Sequence, residues 1–240
     1  DPPALMATPV ARWGAAMASL GFSTLYMFGG KAGLFASSDL WLFNAEVQEW
    51  SEVTADQLAS SPPVRVHPTL WAGDGLIFVH GGYDDNIPAY RGTGYRRDFW
   101  RYDIDKGSWS DMSTPYAPPP RAEATVTVID GVAYFFGGRD DKYWYSDLWK
   151  HTLATNEWVL LQPDSSEATL RPERRAGHST VSDGTDLYMF GGFSLVNNPY
   201  ESLLFNDVWK FTVSTQEWSR LWPPPKPPAR NPGGERCTQE

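Results

Sequence analysis

The side chains best suited to catalysis or metal binding are scattered along this 240-residue sequence. His67, His80, His151 and His178 form no pair at ligand spacing, so a histidine-built metal cage is not expected. Asp84 and Asp85 with Asn86, and Asp140 with Asp141, offer carboxylate oxygens to calcium, but neither run has the spacing of a full calcium loop. Solvated turns are the simpler reading. There is no Gly-x-Ser-x-Gly elbow and no phosphate-cradling Gly-x-x-x-x-Gly-Lys run. Catalytic residues, metal ligands and cofactors are therefore expected to be absent, and an enzyme is disfavoured.

What the sequence does concentrate is contact chemistry. One stretch holds Tyr83, Asp84, Asp85, Tyr90, Arg91, Tyr95, Arg96 and Arg97. A second holds Arg139, Tyr143, Trp144 and Tyr145, and a third holds Phe193, Asn197 and Tyr200. Tyr, Trp and Arg combine large contact area with a polar handle and dominate interface energetics, so these residues are expected to meet a protein partner. The alternative is that the aromatics fold back over the sheets that carry them.

These stretches lie between landmarks that recur four times. Arginines stand at Arg12, Arg65, Arg121 and Arg175, at near-even intervals. Each is followed by an apolar run ending in a glycine pair: Gly29 and Gly30, Gly81 and Gly82, Gly137 and Gly138, Gly191 and Gly192. Then come Asp39, Asp98, Asp147 and Asp207, each two residues before a tryptophan, and nine positions beyond that tryptophan stand Trp50, Trp109, Trp158 and Trp218. Four landmarks held in register through four copies define a structural repeat.

Within a copy the spacing implies four antiparallel strands: an arginine strand, a glycine-pair strand, an Asp-x-Trp strand and a final Trp strand. Asp74-Gly75, Asp130-Gly131 and Asp183-Gly184 read as tight hairpin turns between the first two. Residues 1–11 form a lead-in strand or tail. Copies follow at 12–64, 65–120, 121–174 and 175–229, with 230–240 starting a further repeat or a tail. The connections from glycine pair to Asp-x-Trp alternate in length, short in the first and third copies and long in the second and fourth, and it is these that carry the contact residues. Each arginine is expected to make the same ion pair in its own copy, and the tryptophans to pack between neighbouring sheets, because a residue that repeats with the fold serves the fold.

Net charge of -9 argues against a nucleic-acid or anionic-membrane surface. No run of apolar residues is long enough to insert into a membrane. Cys237 is the single cysteine, so no internal disulfide forms. The chain reads as soluble and of open address, with an intracellular setting slightly favoured and an extracellular one compatible.

The apolar run with its glycine pair, the downstream aromatic strand and the spaced Trp resemble the kelch repeat, whose units form blades of an all-β propeller. The resemblance covers Arg12 to Trp218. It implies four four-stranded antiparallel blades and a non-enzymatic interaction or scaffold module, with a structural subunit of a large assembly as one form. The alternative it allows is a carbohydrate-active or metal-dependent enzyme with its site in the propeller mouth. Kelch-type copper oxidases need a cysteine linked to tyrosine, and the one thiol here, Cys237, lies in the terminal tail. Kelch propellers commonly have five to seven blades, and Arg230 stands one repeat length past Arg175. A larger propeller, completed by further chain segments, is therefore expected.

Overall fold

The computed structural model of the chain describes residues 8–53, 61–84, 86–87, 94–165, 171–195 and 202–223. Among them no helix occurs. The first copy builds β1 (Ala16–Leu20), β2 (Thr24–Phe28), the short β3 (Lys31–Ala32) and β4 (Phe35–Ala36), β5 (Leu40–Asn44) and β6 (Glu49–Glu52). The second builds β7 (Thr69–Gly73), β8 (Leu76–His80), β9 (Phe99–Asp103) and β10 (Ser108–Asp111). The third builds β11 (Thr125–Ile129), β12 (Val132–Phe136), β13 (Leu148–Thr152) and β14 (Glu157–Gln162). The fourth builds β15 (Ser179–Ser182), β16 (Leu187–Phe190), the short β17 (Phe193–Leu195) and β18 (Ser202–Leu204), β19 (Val208–Thr212) and β20 (Glu217–Trp222). Each copy folds as one four-stranded antiparallel sheet, and the four sheets are arranged as the blades of a propeller.

Local chemistry sets the hairpins. Asp74 and Gly75 (φ 53° and 73°), and Asp130 and Gly131 (48° and 72°), take the paired left-handed conformation of a two-residue turn whose twist matches the flanking strands. The fourth copy departs from the expected tight turn. Its chain leaves β15 at Ser182 and re-enters β16 at Leu187, because the Asp183 carboxylate accepts the amides of Thr185 and Asp186, both at 2.9 Å, and widens the connection. The arginines also differ from the expected strand position. Each lies just ahead of its innermost strand, in the segment that enters the blade.

The final tryptophans face aromatic partners across the outer hairpin: Trp50 opposes Phe43, Trp109 Tyr102, Trp158 His151 and Trp218 Phe211. Ring centroids lie 4.8 to 5.2 Å apart in all four. Among the described residues three apolar cores form, and each lies between consecutive blades. Phe28, Tyr26 and Leu40 of the first blade meet Ile77, Val79 and Trp109 of the second. Trp71, Phe78 and Phe99 meet Phe135 and Trp158 of the third. Phe136, Leu148 and Ile129 meet Met189, Phe211 and Trp218 of the fourth. Burying each such side chain contributes about 1.5–3 kcal/mol. The innermost strands β1, β7, β11 and β15 pack in that order and line a central channel of about 400 Å³.

Candidate functional site

The end of the propeller where chain enters each blade is organised by the arginines. Arg121 donates to both carboxylate oxygens of Asp147 (2.5 and 2.8 Å), to the Gly137 carbonyl (2.9 Å) and through Nε to the Pro119 carbonyl (3.2 Å). The Asp147 carboxylate also accepts Trp149 Nε1 at 2.7 Å. The same set joins Arg12 to Asp39 and Gly29, Arg65 to Asp98 and Gly81, and Arg175 to Asp207 and Gly191. Burial works against the charge of Asp39, Asp98 and Asp207, yet the arginine and tryptophan hydrogen bonds outweigh it and hold their pKa values below the usual carboxylate range.

The backbone of each arginine ties its blade to the one before. The Arg65, Arg121 and Arg175 carbonyls accept the amides of Gly30, Gly82 and Gly138 at 2.9, 2.8 and 2.9 Å. A Cβ on Gly29, Gly81 or Gly137 would stand 2.8, 2.3 or 2.8 Å from those same carbonyl oxygens. The first glycine of the pair is thus a close approach between blades that no side chain fits.

Two residues beyond each arginine the chain turns left-handed, at Gly14 (φ 66°), His67 (51°), Glu123 (59°) and Gly177 (61°). These residues form a chain of backbone hydrogen bonds around the axis: His67 N to Gly14 O (2.7 Å), Glu123 N to His67 O (3.3 Å), Gly177 N to Glu123 O (3.1 Å). His67 and Glu123 are costly choices at such angles, so their side chains are held at the mouth of the channel under backbone strain, a pattern that concentrates at functional sites.

Above this ring lies a cavity of about 460 Å³, lined by His67, Glu123, Thr125, His178 and Phe193 among others. Glu123 in turn holds Arg139, which donates to Glu123 Oε1 from Nη2 (2.7 Å) and Nε (3.1 Å) and to the Tyr95 hydroxyl (2.9 Å). Burial penalises the Arg139 cation, but the Glu123 contact outweighs it and raises its pKa. Burial lowers the His67 pKa against the pull of Glu123, keeping the ring neutral near pH 7. Rings flank the cluster: Trp13 against His67 (5.5 Å), His67 stacked on Tyr83 (6.0 Å), Tyr83 against Tyr95 (5.6 Å) and Trp144 against Phe193 (6.4 Å). The result is one band of aromatic and charged side chains drawn from all four blades.

Of the residues expected to meet a partner, Tyr83, Tyr95, Arg139, Trp144 and Phe193 converge on this band. Asp84 and Arg96 instead pair with each other (3.2 Å), and Arg97 reaches the Pro115 carbonyl away from the mouth. Tyr143 is exposed on its loop. Tyr145 points inward, its hydroxyl on Asp140 (2.6 Å) and its ring 3.9 Å from the Arg121 guanidinium. Asp85, Tyr90, Arg91, Asn197 and Tyr200 lie outside the described residues.

Glu123 and Trp13 are not marked by the sequence, and His67 is marked there only as one of four scattered histidines. The signal was a column of unlike residues, Gly14, His67, Glu123 and Gly177, in which two bulky polar side chains replace glycine. Among the described residues no three His, Cys, Asp or Glu side chains are grouped as metal ligands.

Four radial antiparallel blades, stapled by arginine–aspartate pairs and glycine-pair seams, define a kelch-type β-propeller. The chain belongs to the KLHDC2/KLHL20/DRC7 Kelch-repeats domain family, which it matches over residues 14–238. It is similar to Kelch domain-containing protein 10 of Bos taurus, 27% identical over 219 residues covering 87% of this chain and 47% of that protein. It is also similar to Kelch domain-containing protein 3 of Rattus norvegicus, 23% identical over 85% of this chain and 53% of that protein. A third relative is the Leucine-zipper-like transcriptional regulator 1 homolog of Drosophila melanogaster, 22% identical over 83% of this chain and 25% of that protein. The chain spans about half the length of the first two and a quarter of the third. Kelch propellers of this kind are generally protein-interaction modules.

Proposed function

We propose that this propeller is a non-enzymatic docking module for a protein partner, and that the partner seats on the mouth formed by Trp13, His67, Tyr83, Tyr95, Arg139 and Trp144. The observation that carries this reading is Arg139, locked by Glu123 and Tyr95 beside a cavity that Glu123 lines, among aromatic rings that are not held in all four copies. Repeating residues serve the blades, while these are free to serve recognition. Sheets and backbone ties fix the band before binding, so little side-chain entropy is lost when a partner arrives.

The test compares the protein partners retained by the unaltered chain, by Arg139→Ala with Trp144→Ala, and by Val47→Ser. Val47 is exposed in the turn between β5 and β6, at the opposite end of its blade from the glycine pair. Loss of the same partners in the mouth variant and their retention in Val47→Ser supports the reading. Equal retention by all three overturns it.

A further inference from the structure

The cavity at the channel mouth has a sparse electrostatic lining. Its apolar wall comes from Ala15, Pro68, Ala124 and Phe193, and its polar side chains are His67, Glu123, Thr125 and His178. Thr125 and His178 are hydrogen-bonded to each other at 2.7 Å. Burial lowers the pKa of both histidines, that of His178 to about 3, so neither ring is charged near pH 7. Among the described lining residues this leaves Glu123 as the one formal charge, and it is negative.

The Glu123 carboxylate is satisfied on one side only. Both Arg139 hydrogen bonds, at 2.7 and 3.1 Å, go to Oε1, and among the described residues no donor reaches Oε2. The side chain is 11% exposed, so the unpaired oxygen sits on a group that has lost most of its contact with water, a costly state unless a donor arrives. That oxygen lies beside Gly177. A Cβ on Gly177 would stand 3.9 Å from Oε2 and 3.1 Å from Cε1 of Phe193, so glycine at this position leaves a slot with a carboxylate oxygen on one side and an aromatic ring on the other. Arg139 is tied to Oε1 and to the Tyr95 hydroxyl and is not among the lining residues, so the charge met inside the cavity is that of the carboxylate.

We infer that this cavity takes a lysine or arginine side chain of the docked protein, its cationic head donating to Glu123 Oε2 and its methylene stem lying along Phe193 and Pro68. The inference rests on the reading of the mouth as a docking site and names the group that the partner inserts there. A cationic donor gains a charge-assisted hydrogen bond with an oxygen that has no other donor. The apolar wall suits the long stem that carries such a head. An acidic side chain would meet a like charge, and an apolar one would leave Oε2 unpaired and cut off from water.

Panning the full 240-residue chain against a random peptide library tests this, with every peptide N-acetylated so that no chain-end ammonium can supply the cation. The retained peptides are expected to share one position enriched in Lys or Arg roughly 10-fold over the input. Glu123→Gln, which keeps an oxygen for Arg139 and removes the charge, is expected to abolish that enrichment. Glu49→Gln, which removes one charge from the exposed outer hairpin, is expected to leave it intact and so separates the cavity from the net charge. A retained peptide remade with norleucine at the basic position needs no altered protein, and it is expected to bind the unaltered chain roughly 10-fold more weakly. Peptides that are lost on Arg139→Ala with Trp144→Ala yet show no basic position, or that tolerate norleucine, overturn this inference and leave the docking site standing. Peptides retained equally by that double variant, or a library from which nothing is retained, overturn the docking site and this inference with it.

Discussion

The guanidinium of Arg121 lies between the carboxylate of Asp147, which takes two of its hydrogen bonds, and the ring of Tyr145, 3.9 Å from its carbon. Both sides of the ion pair are nearly free of solvent, with 0% and 6% of the two side chains exposed. Removing Arg121 leaves the Asp147 carboxylate buried with no counter-charge, held only by Trp149 Nε1 among the side chains described. Arg121→Ala is therefore expected to cost about 3–5 kcal/mol. Arg12→Ala, at a pair 7% and 20% exposed, is expected to cost about 1.5–3 kcal/mol. Urea unfolding of the two variants checks the ranking, and equal losses would contradict it.

Gly75 and Gly81 both lie in the second blade at positive φ, 73° and 65°. Nothing stands within 4 Å of a Cβ on Gly75, while one on Gly81 would be 2.3 Å from the Arg121 carbonyl oxygen. Gly75→Ala is expected to cost only the left-handed strain, about 1–2 kcal/mol. Gly81→Ala adds a backbone collision and is expected to cost about 3–5 kcal/mol. Comparable thermal midpoints would show that the seam can open without penalty.

Burial lowers the pKa of His80 and of His178 to about 3 and that of His151 to about 4. Their unfolded value is about 6.5, so below that pH the unfolded chain binds more protons and stability falls as pH drops towards the folded values. Each histidine contributes a slope of about 1.4 kcal/mol per pH unit within its window. His80→Phe places at this position the residue found at Phe28 and Phe136, and it is expected to flatten the dependence between pH 6 and pH 4 by about one proton. Stability against pH, measured by denaturant unfolding, reads this directly. An unchanged slope would mean that His80 is protonated in the fold.

The fold was legible because its determinants are side chains that must be the same in every copy. Only Asp answers the repeated arginine, only Gly fits beneath the next arginine's carbonyl, and the final Trp needs the ring opposite it. The mouth was less legible because its shared feature is a backbone angle. Gly14, His67, Glu123 and Gly177 have one conformation and three residue types, so no motif marks them. Tyr145 and Tyr143 show the same limit. Two positions apart on one loop, one reaches under Arg121 and the other into solvent, a choice made by Asp140 and not by composition. The Asp183-Gly184 connection failed as a tight turn because its aspartate satisfies two amides further on.

With a net charge of -9, the chain is expected to favour a partner whose docking surface carries basic groups. Association is expected to slow as salt is raised, with most of the change in the on-rate and little in the off-rate. Surface-based kinetics over a salt series checks this, and a salt-independent on-rate would remove the electrostatic part of the account.

The claim that recognition happens at the channel mouth is tested most directly by hydrogen–deuterium exchange of the chain with and without a captured protein partner. Peptides carrying Trp13, His67, Glu123 and Arg139 to Trp144 are expected to gain protection, while the turns at Gly75 and Gly131, at the far end of the blades, stay unchanged. Protection confined to those far turns, or spread over the outer strands β6, β10, β14 and β20, would contradict the account.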